Sequence, residues 1–217
     1  AEIAAELARR LEAARPHDVA LAPPVPYGAS GEHAAFPGTL SIGREATERL
    51  LTELIRSADA FAAVLLVNGH GGNHEPATRA VATARREGRN AHLWWPPAGD
   101  AHAGNPQDAH AGHTETSVML ALRPSAVRRP HAVAGRVEPL AELLPALRAH
   151  GTRQVSPSGV LGDPRGATAD HGRRTLDRWT AELLAAAHRV HPDPGVVRGG
   201  PSPEHGPHEG PSRQEGR

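Results

Sequence analysis

"FAAVLLVNGHGGNHEPATRAVATARREGRNAHLWWPP", residues 61–97, decides the fold. It opens on FAAVLLVNG, an apolar run without alternation, as expected of a central parallel strand covered on both faces. A glycine-rich turn follows. HEPATRAVATARREG then reads as a helix stopped by Gly88, and NAHLWWPP as a further strand. Upstream, DVALAPP reads as a short strand from Asp18 to Ala22, stopped by prolines. A helix is expected over 44–58, with Leu50, Leu51, Leu54 and Ile55 facing inward. Strand, helix, strand, helix, strand in succession indicates an α/β layered domain with a mainly parallel sheet.

The flanks fit that domain. Residues 2–14 form an amphipathic helix with Ile3, Leu7, Leu11 and Ala14 on one face. Residues 25–43 have the Gly, Ser and Pro density of a loop, and so has 98–112. TETSVMLALRP is a helix with Thr114 as its N-cap. Residues 137–149 are helical with a proline interruption, and a last helix spans 169–190. The α/β domain is expected to occupy 1–191, and the Pro/Gly/His-rich stretch 192–217 to be a disordered tail.

Composition narrows the chemistry. The chain has 217 residues, 24 basic and 24 acidic, so no basic field draws in nucleic acid. No apolar run approaches the roughly 20 residues that span a bilayer, and a cytoplasmic protein is expected. With no cysteine, thiolate sites are excluded, and a metal must sit on His, Asp, Glu or water.

Three stretches carry candidate chemistry. In VLLVNGHGGN, His70 would project into the crevice past a strand end, where ligands of parallel α/β sheets bind. The same stretch also reads as a Gly-rich strand-to-helix turn with an incidental histidine. In DAHAGHTETS, residues 108–117, Asp108, His110, His113 and Glu115 offer imidazole and carboxylate together. Glu115 also has a plain role there, an acid in the first turn of a helix. In GEHAAFPGTLS, Glu32 and His33 either line the same crevice or belong to an ordered surface loop. Of Trp94 and Trp95, one reads as core and the other as a possible substrate contact. No G-x-S-x-G elbow, phosphate loop or dinucleotide fingerprint is present.

NGHGGN followed by HAGxxETS resembles the creatininase family of metal-dependent amidohydrolases, and YGASGEHAAFPGTLSIG looks like that family's loop ending in F-P-G-T. GEHAAFPGTLSIG, DAHAGHTETS and SPSGVLGDPRGATADHG resemble its mycofactocin branch, which trims a precursor peptide. The likeness spans residues 1–187. It implies a three-layer α/β/α fold and amide hydrolysis at two divalent ions, zinc, iron or manganese. It implies His70 and Glu115 as metal ligands and His110 as the group that protonates the leaving nitrogen. Gly71, Gly72 and Asn73 would shape the site, with Glu32 and His33 beside substrate. The substrate would be the modified precursor peptide, cut to release a C-terminal Val-Tyr dipeptide, and the protein a homo-oligomer. A creatinine-like cyclic amide or a formamide is the alternative substrate, and an inactive binding subunit the alternative role. The family's N-terminal Glu, His and Asp ligands find no match here, so either a start placed too late or a fragment is expected, with weak metal binding, little or no hydrolysis and an open sheet edge in the chain as written.

Overall fold

The computed structural model describes residues 2–97 and 108–191. The expected tail at 192–217, most of the loop 98–112, and His102, His205 and His208 lie outside the described residues.

The elements run α1 (Glu2–Ala14), α2 (Gly43–Arg56), β1 (Val64–Val67), α3 (His74–Arg86), β2 (Ala91–Trp94), α4 (His113–Leu122), α5 (Leu140–His150), α6 (Thr152–Val155) and α7 (Ala169–Val190). Short 3-10 turns at Gly31–His33 and Gly71–Asn73 matter for the site. β1 and β2 pair in parallel, Val64 opposite Ala91 and Val67 opposite Trp94. Among the described residues they make a two-stranded sheet.

The three-layer arrangement follows from the pleat, because successive side chains leave a strand on opposite faces. Leu65, Val67 and Trp94 pack on a core of Leu7 and Leu11 from α1, Val118 from α4, and Leu176, Trp179, Leu183 and Ala187 from α7. Val64, Leu66 and Leu93 face the other way, onto Ile55 from α2 and Ala80, Val81 and Ala84 from α3. Continuous apolarity in β1 therefore reflects two covered faces. A satellite cluster of Leu143, Val155 and Leu161 ties down α5 and α6.

α7 starts on a side-chain cap, Thr168 Oγ1 accepting from His171 N at 3.2 Å. It runs tight against α4 at Gly172, where a Cβ would stand 1.9 Å from the Ser117 carbonyl oxygen. Only glycine lets the two backbones approach that closely.

Several local expectations are corrected. Asp18–Ala22 is not a strand: Asp18 N and Val19 N both bond to Arg15 O, continuing the turn after α1, and no ladder partner reaches them. An apolar stretch becomes a strand only where a neighbour takes its N–H and C=O groups. The strands at 61–69 and 90–97 are shorter than expected, four residues each. Leu51 and Ile55 face the core, but Leu50 and Leu54 are 38 % and 45 % exposed. They sit about 100° round α2 from the residues that reach the sheet. Thr114 is inside α4, whose N-cap position is Gly112, and the Asp108 carboxylate takes the Thr114 N–H instead.

Candidate metal centre

The chain turns immediately after β1, and Asn68 makes the turn. Its Nδ2 donates to the His70 carbonyl at 3.0 Å and its Oδ1 accepts from His70 N at 3.2 Å. This is the local amide-to-backbone bonding that favours Asn in turns. His70 is left extended, at φ −142° and ψ 124°, ahead of the turn Gly71–Asn73 and the start of α3. Its ring is one-quarter exposed, 26 %.

The loop at 28–33 folds back over this turn. Asn73 Oδ1 accepts from Ala29 N at 2.8 Å, and Gly28 lies so close that a Cβ there would meet that oxygen at 2.4 Å. Ile42 N donates to Gly28 O at 3.1 Å and Ser30 N to Ser41 Oγ at 2.9 Å, closing the base of the loop. The 3-10 turn Gly31–His33 is thereby held against His70. Glu32 Oε1 stands 3.0 Å from His70 Nε2 and 3.7 Å from His33 Nε2. The Ala29 carbonyl and Ser30 Oγ approach the same His70 nitrogen at 3.1 and 3.2 Å.

Gly72 makes this convergence possible. A Cβ on it would lie 2.1 Å from Ala29 O, 2.6 Å from Glu32 Oε1 and 2.8 Å from His70 Nε2. Gly71 faces open space, with nothing within 4 Å of a Cβ.

His33 links this group to the other candidate stretch. Its ring centroid is 5.8 Å from that of His70 and 4.8 Å from that of His110. His110 Nδ1 is 3.7 Å from Glu115 Oε2, which also accepts from Ala111 N at 2.6 Å. Ala111 has φ 51°, a left-handed conformation that alanine rarely adopts. Glu115 therefore folds back on the turn that presents His110. His113 is elsewhere, its Nε2 3.0 Å from Gly166 O and its ring against His171.

Charge in the cluster is shared. Hydrogen bonding to Glu32 holds the His70 imidazole above its ordinary value, against the opposing effect of burial. Burial pushes the Glu32 carboxyl up, but its bonds to His70 and to its own backbone outweigh this and hold it below the ordinary value. Burial, then the neighbouring His110, pushes His33 down.

Among the described residues, Glu32, His33 and His70 can bring ligand atoms within 4.8 Å of one another, and His110 and Glu115 lie outside that group. Two imidazoles and a carboxylate are donors that borderline divalent cations accept, so the residues present fit such an ion. Trp94 is core, while Trp95 stacks on His74 at 4.5 Å. Reading of the residues passed over Ser30, Gly28 and Asn68. Asn68-Gly69 carries a turn signal, but no local pattern marks the other two.

The family model described as creatininase, creatinine amidohydrolase, matches residues 1–187. A mycofactocin precursor peptide peptidase of Mycobacterium ulcerans (strain Agy99) is 50% identical over 175 residues, 80% of this chain and 68% of that protein. One of the same description from Mycolicibacterium smegmatis (strain ATCC 700084 / mc(2)155) is 49% identical over 194 residues, 89% of this chain and 76% of that protein. A solved structure described as creatininase Mn superposes with a TM-score of 0.72 at 20% identity, covering 88% of this chain and 82% of that one. With a family match over residues 1–187 and these relatives, the chain belongs to the creatininase family.

Proposed function

We propose that this protein is a metal-dependent peptidase that releases the C-terminal Val-Tyr dipeptide from the modified mycofactocin precursor peptide. The observation that carries this is an identity of about half, over most of the chain, to relatives bearing that description. The convergence of acid and imidazole groups past the end of β1 supports hydrolysis as the chemistry.

Divalent ions, when bound, polarise the scissile carbonyl and make water a nucleophile near neutral pH. His70 and Glu115 are the ligands that family likeness supports. His110, whose Nδ1 lies 3.7 Å from Glu115 Oε2, is the group that would hand a proton to the leaving amine. Gly71, Gly72 and Asn73 shape the floor, with Glu32 and His33 at its rim. Zinc, iron or manganese, a homo-oligomeric assembly and a cytoplasmic setting complete the reading. No helix among the described residues is long and apolar enough to cross a membrane.

The family description favours one other substrate class, a creatinine-like cyclic amide. The test is to incubate the protein separately with modified precursor peptide and with creatinine, following products by mass spectrometry. Free Val-Tyr from the peptide is the expected result. Creatinine turnover without dipeptide would replace this reading with the second. Turnover of neither substrate, in protein that binds no metal, would make the chain a binding subunit.

A further inference from the structure

We infer that Asp108 is a positioning residue for His110. The inference rests on the proton transfer to the leaving amine assigned to His110 above, and it adds the group that holds that ring in place.

The turn that carries His110 has to be held from outside. Ala111, the next residue, has φ 51°, a backbone conformation that persists in alanine only where the surroundings fix it. Pairing with Leu161 secures the entry to the turn. Ala109 N and His110 N both donate to Leu161 O, at 2.9 and 3.1 Å, and Leu161 N donates to His110 O at 2.8 Å. This fixes the backbone up to His110 and leaves the stretch from Ala111 to His113 to other groups.

Asp108 closes that stretch. Its Oδ2 accepts from Thr114 N in the first turn of α4, so one side chain spans residues 109–113 and ties the entry of the turn to the helix that follows. Gly112 stands at the N-cap position of α4 and has no side chain to offer, so Asp108 supplies a capping acceptor from further upstream. Its other oxygen is buried, with no hydrogen-bond partner among the described residues. That oxygen lies in a slot between two glycines. A Cβ on Gly112 would stand 1.8 Å from it, and one on Gly162 2.8 Å. The backbone comes this close only because neither residue has a side chain. A buried oxygen left unpaired is costly. What the fit provides is a carboxylate wedged between the residue after Leu161 and the turn just past His110.

Glu115 does not make Asp108 redundant. Its carboxylate accepts from Ala111 N at 2.6 Å, but family likeness commits that carboxylate to a cation. Asp108, bonded to backbone at Thr114, is the acid that can hold the turn while Glu115 serves as a ligand.

The test is dipeptide release at saturating zinc, with a double-mutant cycle between Asp108 and His110. Asp108→Ala removes the acceptor and should lower kcat by about 10- to 100-fold, the cost of misplacing a reacting group by about 1 Å, with KM within about threefold of wild type. Asp108→Asn keeps an acceptor for Thr114 N and should recover most of that loss. In a His110→Ala background, adding Asp108→Ala should cost no more than about twofold, because the ring it positions is gone. NMR of the zinc-loaded protein gives a readout independent of turnover, with circular dichroism melts to confirm that each variant is folded. There, Asp108→Ala should shift and broaden the His110 ring signals and leave those of His70 in place. Wild-type kcat in Asp108→Ala, the full loss retained beside His110→Ala, or Asp108→Asn as slow as Asp108→Ala would each overturn the inference, and so would unmoved His110 signals. If wild type releases no dipeptide, the functional reading fails, and the NMR comparison alone decides whether Asp108 holds His110.

Discussion

Gly72→Ala is the most informative single substitution. The added methyl would sit 2.1 Å from the Ala29 carbonyl oxygen, where about 3.4 Å is needed for ordinary contact, so a gap of about 1 Å must open. Ala29 cannot yield cheaply. Asn73 Oδ1 holds its N–H at 2.8 Å, and Ile42 N grips the preceding carbonyl at 3.1 Å. Overpacking of this kind costs about 1–3 kcal/mol. Alanine recovers about 0.4–1 kcal/mol by stiffening the unfolded chain. The net loss is then about 1.3 kcal/mol at the middle of both ranges, a fall in Tm of about 3–5 °C at this chain length. The same methyl lies 2.8 Å from His70 Nε2, so metal affinity should fall with stability. Gly71→Ala is the control, because its Cβ meets nothing within 4 Å and should leave both properties unchanged or add slight stability. Urea denaturation of chelator-treated protein, followed by zinc titration of the folded protein, measures the two effects. Gly72→Ala as stable as wild type, with equal zinc affinity, would refute the claim that this glycine keeps the Glu32 position clear.

Other outcomes follow from the same contacts. Asn73→Ala strips the Ala29 N–H of its acceptor and should cost about 1–2 kcal/mol, with faster amide hydrogen exchange confined to residues 28–33. Unchanged exchange there would mean that the loop is held by other bonds. Gly172→Ala forces α4 and α7 apart at a 1.9 Å clash with backbone and should cost about 2–3 kcal/mol by chemical denaturation. Saturating zinc should stabilise wild type by about 2.7 kcal/mol at a hundredfold excess over Kd. Calorimetry should show that shift vanish in His70→Ala, and its persistence would count against His70 as a ligand.

The framework was legible because it is written locally. The βαβ unit in residues 61–97 shows its two covered faces as unbroken apolarity, and β1 sends alternate residues to the two cores. α7 spans Ala169–Val190, the range expected. Asp18–Ala22 failed for the opposite reason: strand character needs a partner, and apolar composition does not supply one. Leu50 and Leu54 failed because leucine abundance on α2 exceeds what one face can bury. The juxtaposition of Glu32 with His70 was legible only as one of two readings, a shared crevice or a surface loop, because the contact joins residues 38 positions apart through bonds made by Asn73 and a space kept by Gly72. A glycine's spacing says that a turn is near, but not which carboxylate fills the room beside it.

The central claim is that hydrolysis runs on a cation held at His70. The direct measurement is the rate of Val-Tyr release from modified precursor peptide, against added zinc or manganese, for wild type and His70→Ala. The account predicts release that is abolished by chelator, restored by metal and absent at every metal concentration in His70→Ala. Release that persists in chelator, or in folded His70→Ala, would contradict it.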